Sequence, residues 1–134
     1  MNAFLVELKN HPGALAQVTE AIAQKGIDIV GFSGATSGAS GAVALITNDE
    51  AATRRVLADG GYTVREVELV TAALAQRPGT LAEAARRLAD AGVNIEAALA
   101  TGMSDRGVHV AFATDDPAKA RQALGEQVLA GSAA

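Results

Sequence analysis

Few residues of this chain are equipped for chemistry. His11 and His109 are the only imidazoles, and there is no cysteine. Thiolate nucleophiles, disulfides and cysteine-type zinc sites are therefore excluded. The two histidines are far apart and make no pair at i, i+4 or another metal spacing, and no cofactor motif is present. Ser33, Ser37 and Ser40 are hydroxyls with no general base placed beside them. They belong to a glycine-rich run, 31–41, that lacks the Gly-Lys-Ser/Thr ending of a phosphate loop. It reads as a mobile hairpin able to close over a ligand. Asp115-Asp116-Pro117 reads as a helix start, not as a carboxylate pair. Two corners are better suited to binding: Pro12-Gly13 and Pro78-Gly79, each ahead of a helical pattern. Proline fixes φ and needs no N–H at a helix start. Glycine lets a ligand or another backbone come close. The helix behind offers unpaired N–H groups and the positive end of a dipole, an arrangement that suits a carboxylate.

The elements that position these corners occur twice. A shift of 66 residues lays Leu8 on Leu74, Pro12 on Pro78, Gly13 on Gly79, Gly26 on Gly92 and Ile29 on Ile95. The same shift lays Gly41 on Gly107, Asp49 on Asp115 and Arg55 on Arg121. Residues 3–8 and 69–74 are apolar runs of strand length. Leu15, Val18 and Ile22 recur at helical spacing, as do Leu81, Ala84 and Leu88. Gly26 and Gly92 stand where left-handed C-caps end those helices. Second strands follow at 27–32 and 93–97, and third strands at 42–47 and 108–113. Asp49 or Asp115 suits the start of a second helix. Gly60-Gly61 ends that helix in the first copy, and 62–67 gives a fourth strand. In the second copy only 126–129 is available for that strand, and 131–134 is expected to fray. The order β-α-β-β-α-β is the ferredoxin-like arrangement. The fold class is thus α+β: two tandem βαββαβ modules, 1–68 and 69–134, with antiparallel sheets. The stretch 62–74 runs almost continuously between them, which implies fixed relative placement.

Composition narrows the function classes. The net charge is −4 and the pI about 5.1, with no basic stripe to track phosphates, so nucleic acid is not an expected partner. Arg54-Arg55 and Arg86-Arg87 read as solvated helix faces. No signal peptide and no apolar run of membrane-spanning length is visible; with the missing cysteines, this leads to an expected cytoplasmic location. Hydrophobic residues make up 49 %, but much of that is alanine, and a module this small is marginal alone. The halves are expected to pack together and to form a homodimer.

Asn10-His11-Pro12-Gly13-Ala14-Leu15 followed by Gly26-Ile27-Asp28-Ile29 resembles an ACT domain. So does Gln76-Arg77-Pro78-Gly79-Thr80-Leu81 followed by Gly92-Val93-Asn94-Ile95. The resemblance covers 3–67 and 69–129. It implies a non-enzymatic sensor that binds a small effector, such as an amino acid, between two modules. It places Asp28 and Asn94 where family ligands are often gripped, and Asn10 and Gln76 at another contact position. It implies the same for the remainder of both corners. It also leaves room for a regulatory subunit acting through protein contacts with a biosynthetic enzyme. A small ferredoxin-like enzyme, or a pair kept only for assembly, are the remaining alternatives.

Overall fold

A computed structural model describes residues 1–129; the fraying expected at 131–134 falls outside them. The chain divides into two compact units, Asn2–Glu66 and the residues from Val67 onward together with Met1. The first holds β1 (Asn2–Lys9), α1 (Ala14–Ala23), β2 (Ile29–Ser37), β3 (Ser40–Thr47) and α2 (Glu50–Asp59). β4 (Val64–Leu74) supplies its first residues to this unit and the rest to the second. There α3 (Thr80–Asp90), β5 (Ile95–Ser104), β6 (Gly107–Thr114) and α4 (Pro117–Leu124) follow. In the first module β3 pairs antiparallel with both β1 and β2. In the second, β6 does the same with β4 and β5. Both are ferredoxin-like modules. β2 and β5 are edge strands.

The period-two alternation of a strand aims every second residue at the helices. Phe4 and Val6 of β1 and Val43 and Leu45 of β3 meet Val18 and Ile22 of α1 and Val56 and Leu57 of α2. Val70, Ala72, Leu74, Val110 and Phe112 meet Ala84, Leu88, Ala120 and Leu124 in the same way. The intervening residues Ala3, Ala44, Ile46, Leu69, Ala73, Ala111 and Ala113 are buried too. Burial on both faces is why these strands read as continuous apolar runs rather than alternating ones. Leu15 and Leu81, the first members of the two helical triplets, stay out of the core at 50 % and 56 % exposure.

Local chemistry closes the helices. Gly92, at φ 75°, donates to the Ala89 carbonyl while Val93 donates to that of Leu88, both at 2.9 Å. This is the paired bonding of a Schellman stop. Asp49 caps α2 by accepting from the Ala52 N–H at 3.0 Å. In α4 the cap is Asp116, accepting from Lys119 at 3.1 Å, not Asp115 as the repeat suggested. The cause is a β-bulge. β5 shifts register between Ala100 and Gly102, and β2 has no such shift there. One extra residue in the bulged strand moves the repeat from 66 (Ile29 to Ile95) to 67 (Thr47 to Thr114), as the pairs Ile29–Thr47 and Ile95–Thr114 show. The sequence matches Gly41–Gly107, Asp49–Asp115 and Arg55–Arg121 are therefore not structural equivalents.

Two other expectations change. The glycine-rich run 31–41 is paired strand almost throughout, with a two-residue turn at Gly38-Ala39. Gly38 has φ 65° and Ala39 does not have positive φ, as a type II′ hairpin requires. In the second module 126–129 forms no full strand. A 3-10 turn, Gly125–Gln127, leads to a single bridge between Val128 and Ala72.

Candidate functional site

Each corner is built by the same few bonds. β1 ends opposite Ser40 at Lys9. The His11 N–H then donates to the Lys9 carbonyl at 3.0 Å, and the Ala14 N–H to the His11 carbonyl at 3.3 Å. Gly13 is the N-cap of α1, with φ 89° and ψ −8°. Gly79 caps α3 at φ 92° and ψ −6°. A left-handed N-cap costs a side-chain-bearing residue about 1–2 kcal/mol, so conformation selects glycine. Crowding does not: a Cβ at either position would meet nothing within 4 Å. Pro12 and Pro78 accordingly precede the cap and do not occupy the first helical position. Neither helix has a side-chain cap, and among the described residues the N–H groups of Leu15, Ala16, Leu81 and Ala82 have no acceptor.

The side chains differ between the copies. Asn10 Nδ2 donates to the Gly38 carbonyl at 2.8 Å and its N–H to Ala39 at 3.0 Å, so it holds the hairpin tip against the corner. His11 Nδ1 lies 3.0 Å from the Pro12 carbonyl. In the second module Gln76 is exposed, Thr80 is buried and its hydroxyl donates to the Arg77 carbonyl at 3.4 Å. Arg77 grips Glu83 with both fork nitrogens, Nη1 to Oε1 at 3.1 Å and Nη2 to Oε2 at 3.0 Å. This hydrogen bonding, then the charge of Arg77, holds the Glu83 carboxyl below its ordinary range and raises Arg77 in turn. The first module has Gln17 at the corresponding place and no such pair.

Asp28 and Asn94 are exposed and stand one residue before β2 and β5. Their main chains are tied by neighbours: Asn48 Oδ1 accepts from the Asp28 N–H, and Asp115 Oδ1 from the Asn94 N–H, each at 2.9 Å. Within one module these residues do not join the Pro-Gly corner. α1 separates them, and its ten residues span about 15 Å at 1.5 Å per residue.

Two surfaces flank the α1 corner. On the β2 side, Leu15, Ala16 and Thr19 face Ile29 and Phe32 across an apolar groove of about 430 Å³, with Phe32 66 % exposed. On the α2 side lies a more polar cleft of about 820 Å³, bordered by Lys9, His11, Gln17, Ser40 and Tyr62. Gln17 and Tyr62 were not read as site residues in the sequence, and Ser40 was read only as a hydroxyl without a base; the β1–β3 register brings Ser40 to the corner and the end of α2 brings Tyr62. Among the described residues no group of three or more His, Asp or Glu side chains is placed to hold a metal, and no helix is long and apolar enough to cross a membrane.

A family model described as an ACT domain pair matches residues 1–130. Similar solved structures include a protein from Bacteroides thetaiotaomicron at 25 % identity and TM-score 0.77, the match covering 98 % of this chain and 92 % of that one. The ligand-free regulatory subunit of aspartate kinase from Thermus thermophilus is similar at 19 % identity and TM-score 0.64, over 92 % and 86 % of the two chains. Its counterpart from Thermus flavus follows at 21 % and 0.60, over 92 % and 88 %. At these identities the Thermus structures speak for the fold alone. No curated protein matches the chain.

Proposed function

The chain belongs to the ACT domain pair family, and we propose that within it the protein is a non-catalytic regulatory pair that binds a small metabolite, an amino acid in the first instance, between modules of two copies. The observation that carries this reading is the β2 edge of the first module. It pairs with β3 on one side only and is flanked by exposed Leu15, Val30 and Phe32. An open apolar edge is a template for another strand. A second copy related by a two-fold axis lays its own β2 antiparallel to the first. The start of one strand then lies beside the end of the other. That brings the partner copy's Asp28 to the hairpin tip that Asn10 pins to the corner. The uncapped turn of α1 receives the carboxylate, and the partner copy's Asp28 receives the ammonium group. Asn94 plays the matching part on the β5 edge.

A ligand that binds the associated state better than the separated one shifts that equilibrium by its differential affinity and by no more. Regulation needs only this.

The test is thermal unfolding against free amino acids and common biosynthetic end products at millimolar concentration. A ligand at about 100 times its dissociation constant adds roughly 2.7 kcal/mol of stability. A selective rise that weakens in Asp28→Ala or Asn94→Ala is expected. A second reading has the pair acting through contacts with an enzyme. Its support is that two proteins sharing the fold are regulatory subunits of aspartate kinase. Silence with every compound, together with recovery of a catalytic chain on the immobilised protein, is the result that selects it.

A further inference from the structure

We propose that the first module carries a cleft for one small zwitterion on the α2-facing flank of α1, and that the second module has no counterpart. This rests on reading the chain as a metabolite-binding pair, and it adds a site distinct from the two-copy edge. The edge uses the flank of α1 that bears Leu15, Ala16 and Thr19; the cleft uses Ala14 and Gln17, on the other side of the same turn.

Two glycines line the cleft. Gly41 pairs with Leu8 on its floor and lies so close to β2 that a Cβ there would fall 2.6 Å from the Ala35 carbonyl. The residue opposite Leu74 in the second module is Val108, whose side chain packs against the core. Gly60 lets the Tyr62 ring lie over the end of α2, where a Cβ would come 2.8 Å from Cε2. In the second module two contacts occupy the matching space. Arg106 Nη2 donates to the Glu126 carbonyl at 2.8 Å. Arg77 and Glu83 engage each other where the first module has His11 and Gln17.

The chemistry of the cleft is two-signed. Lys9, His11 and the Gln17 amide supply donors at the α1 end, and Glu7 with the carbonyl end of α2 at Gly60 and Gly61 supplies acceptors. Because β1 and β3 are antiparallel, the helices that return from them are antiparallel too. The positive end of one dipole and the negative end of the other therefore open on the same space. One carboxylate and one ammonium group on a compact ligand match both ends. An ion of a single sign matches one end and is opposed at the other.

Tyr62 is the only tyrosine and there is no tryptophan, so the protein's ultraviolet emission reports on this cleft. The experiment titrates the whole chain with each free amino acid, and with its N-acetyl and methyl-ester forms, while following Tyr62 emission. At least one free amino acid is expected to give a saturable change with one equivalent per chain. Either blocked form should bind about tenfold more weakly or worse, the loss of roughly 1.4 kcal/mol. The double change His11→Arg with Gln17→Glu, which rebuilds the second module's ion pair in the first, should weaken the response to the same degree. Gln17→Glu alone, at an exposed helix position, serves if the double variant fails to fold. A compound that raises the unfolding midpoint but leaves Tyr62 silent overturns the cleft and spares the regulatory reading. So does undiminished binding by the folded variants. No response in either readout removes both.

Discussion

Thr47 and Thr53 share a buried hydroxyl–hydroxyl hydrogen bond of 2.7 Å in the first module. In the second, Thr114 occupies the place of Thr47, but Ala120 stands where Thr53 would be. The Thr114 hydroxyl is buried without a partner. A buried hydroxyl that has lost its water and gained nothing is destabilising by about 1–3 kcal/mol. Thr114→Val should therefore raise stability by about 1 kcal/mol in a denaturant titration, whereas Thr47→Val should lower it by removing the bonds its hydroxyl makes to Thr53 and to the Asp49 N–H. The Arg77–Glu83 pair makes a different prediction. The Glu83 carboxyl is held below its ordinary range in the folded chain, so its contribution to stability is present above the unfolded carboxylate range. It is lost as pH falls through the lowered folded value. In Arg77→Met the Glu83 titration followed by NMR should move up toward the ordinary range. Both groups are solvent-exposed, so the midpoint of unfolding at neutral pH should barely change.

At the scale of elements, what could be read in the sequence was what local chemistry decides. The two Pro-Gly corners, the glycine stops at Gly26 and Gly92 and the cap at Asp49 each depend on a few neighbouring residues, and each is in place. So are the strand–helix order and the antiparallel pairing. Features that depend on distant partners were not legible. The bulge at residue 101 is a property of the β5–β6 register, and an ungapped repeat conceals it. Leu15 and Leu81 share the period of Val18 and Leu88, yet both stay outside the core, Leu15 beside the open groove that Phe32 borders. The polar cleft takes its lining from the end of β1, the start of β3, the first turn of α1 and the end of α2, segments far apart in the sequence. The exposed β2 edge gives this scale its prediction. Phe32→Asp places a charge at the centre of the proposed contact between copies, and sedimentation should show the associated species replaced by the single chain. An unchanged distribution would show that the copies meet elsewhere, or not at all.

For the whole molecule, duplication has produced two modules with one fold and unequal corners. The first pairs an open cleft with an exposed apolar edge; the second ties Arg106 to the Glu126 carbonyl and carries the Arg77–Glu83 ion pair instead. A regulatory protein needs a ligand-sensitive state and an interface whose population the ligand can bias. In the proposed reading both requirements meet at α1 of the first module, whose two flanks face the cleft and the edge. The most direct test of metabolite binding at these corners is a two-dimensional amide NMR titration of the isotope-labelled chain with the free amino acids. The account predicts that one or a few of them shift the amides of the first turn of α1, around Gly13, Leu15 and Ala16, saturably and selectively. Amides that stay in place with every compound, or that move only far from both Pro-Gly corners, would contradict it.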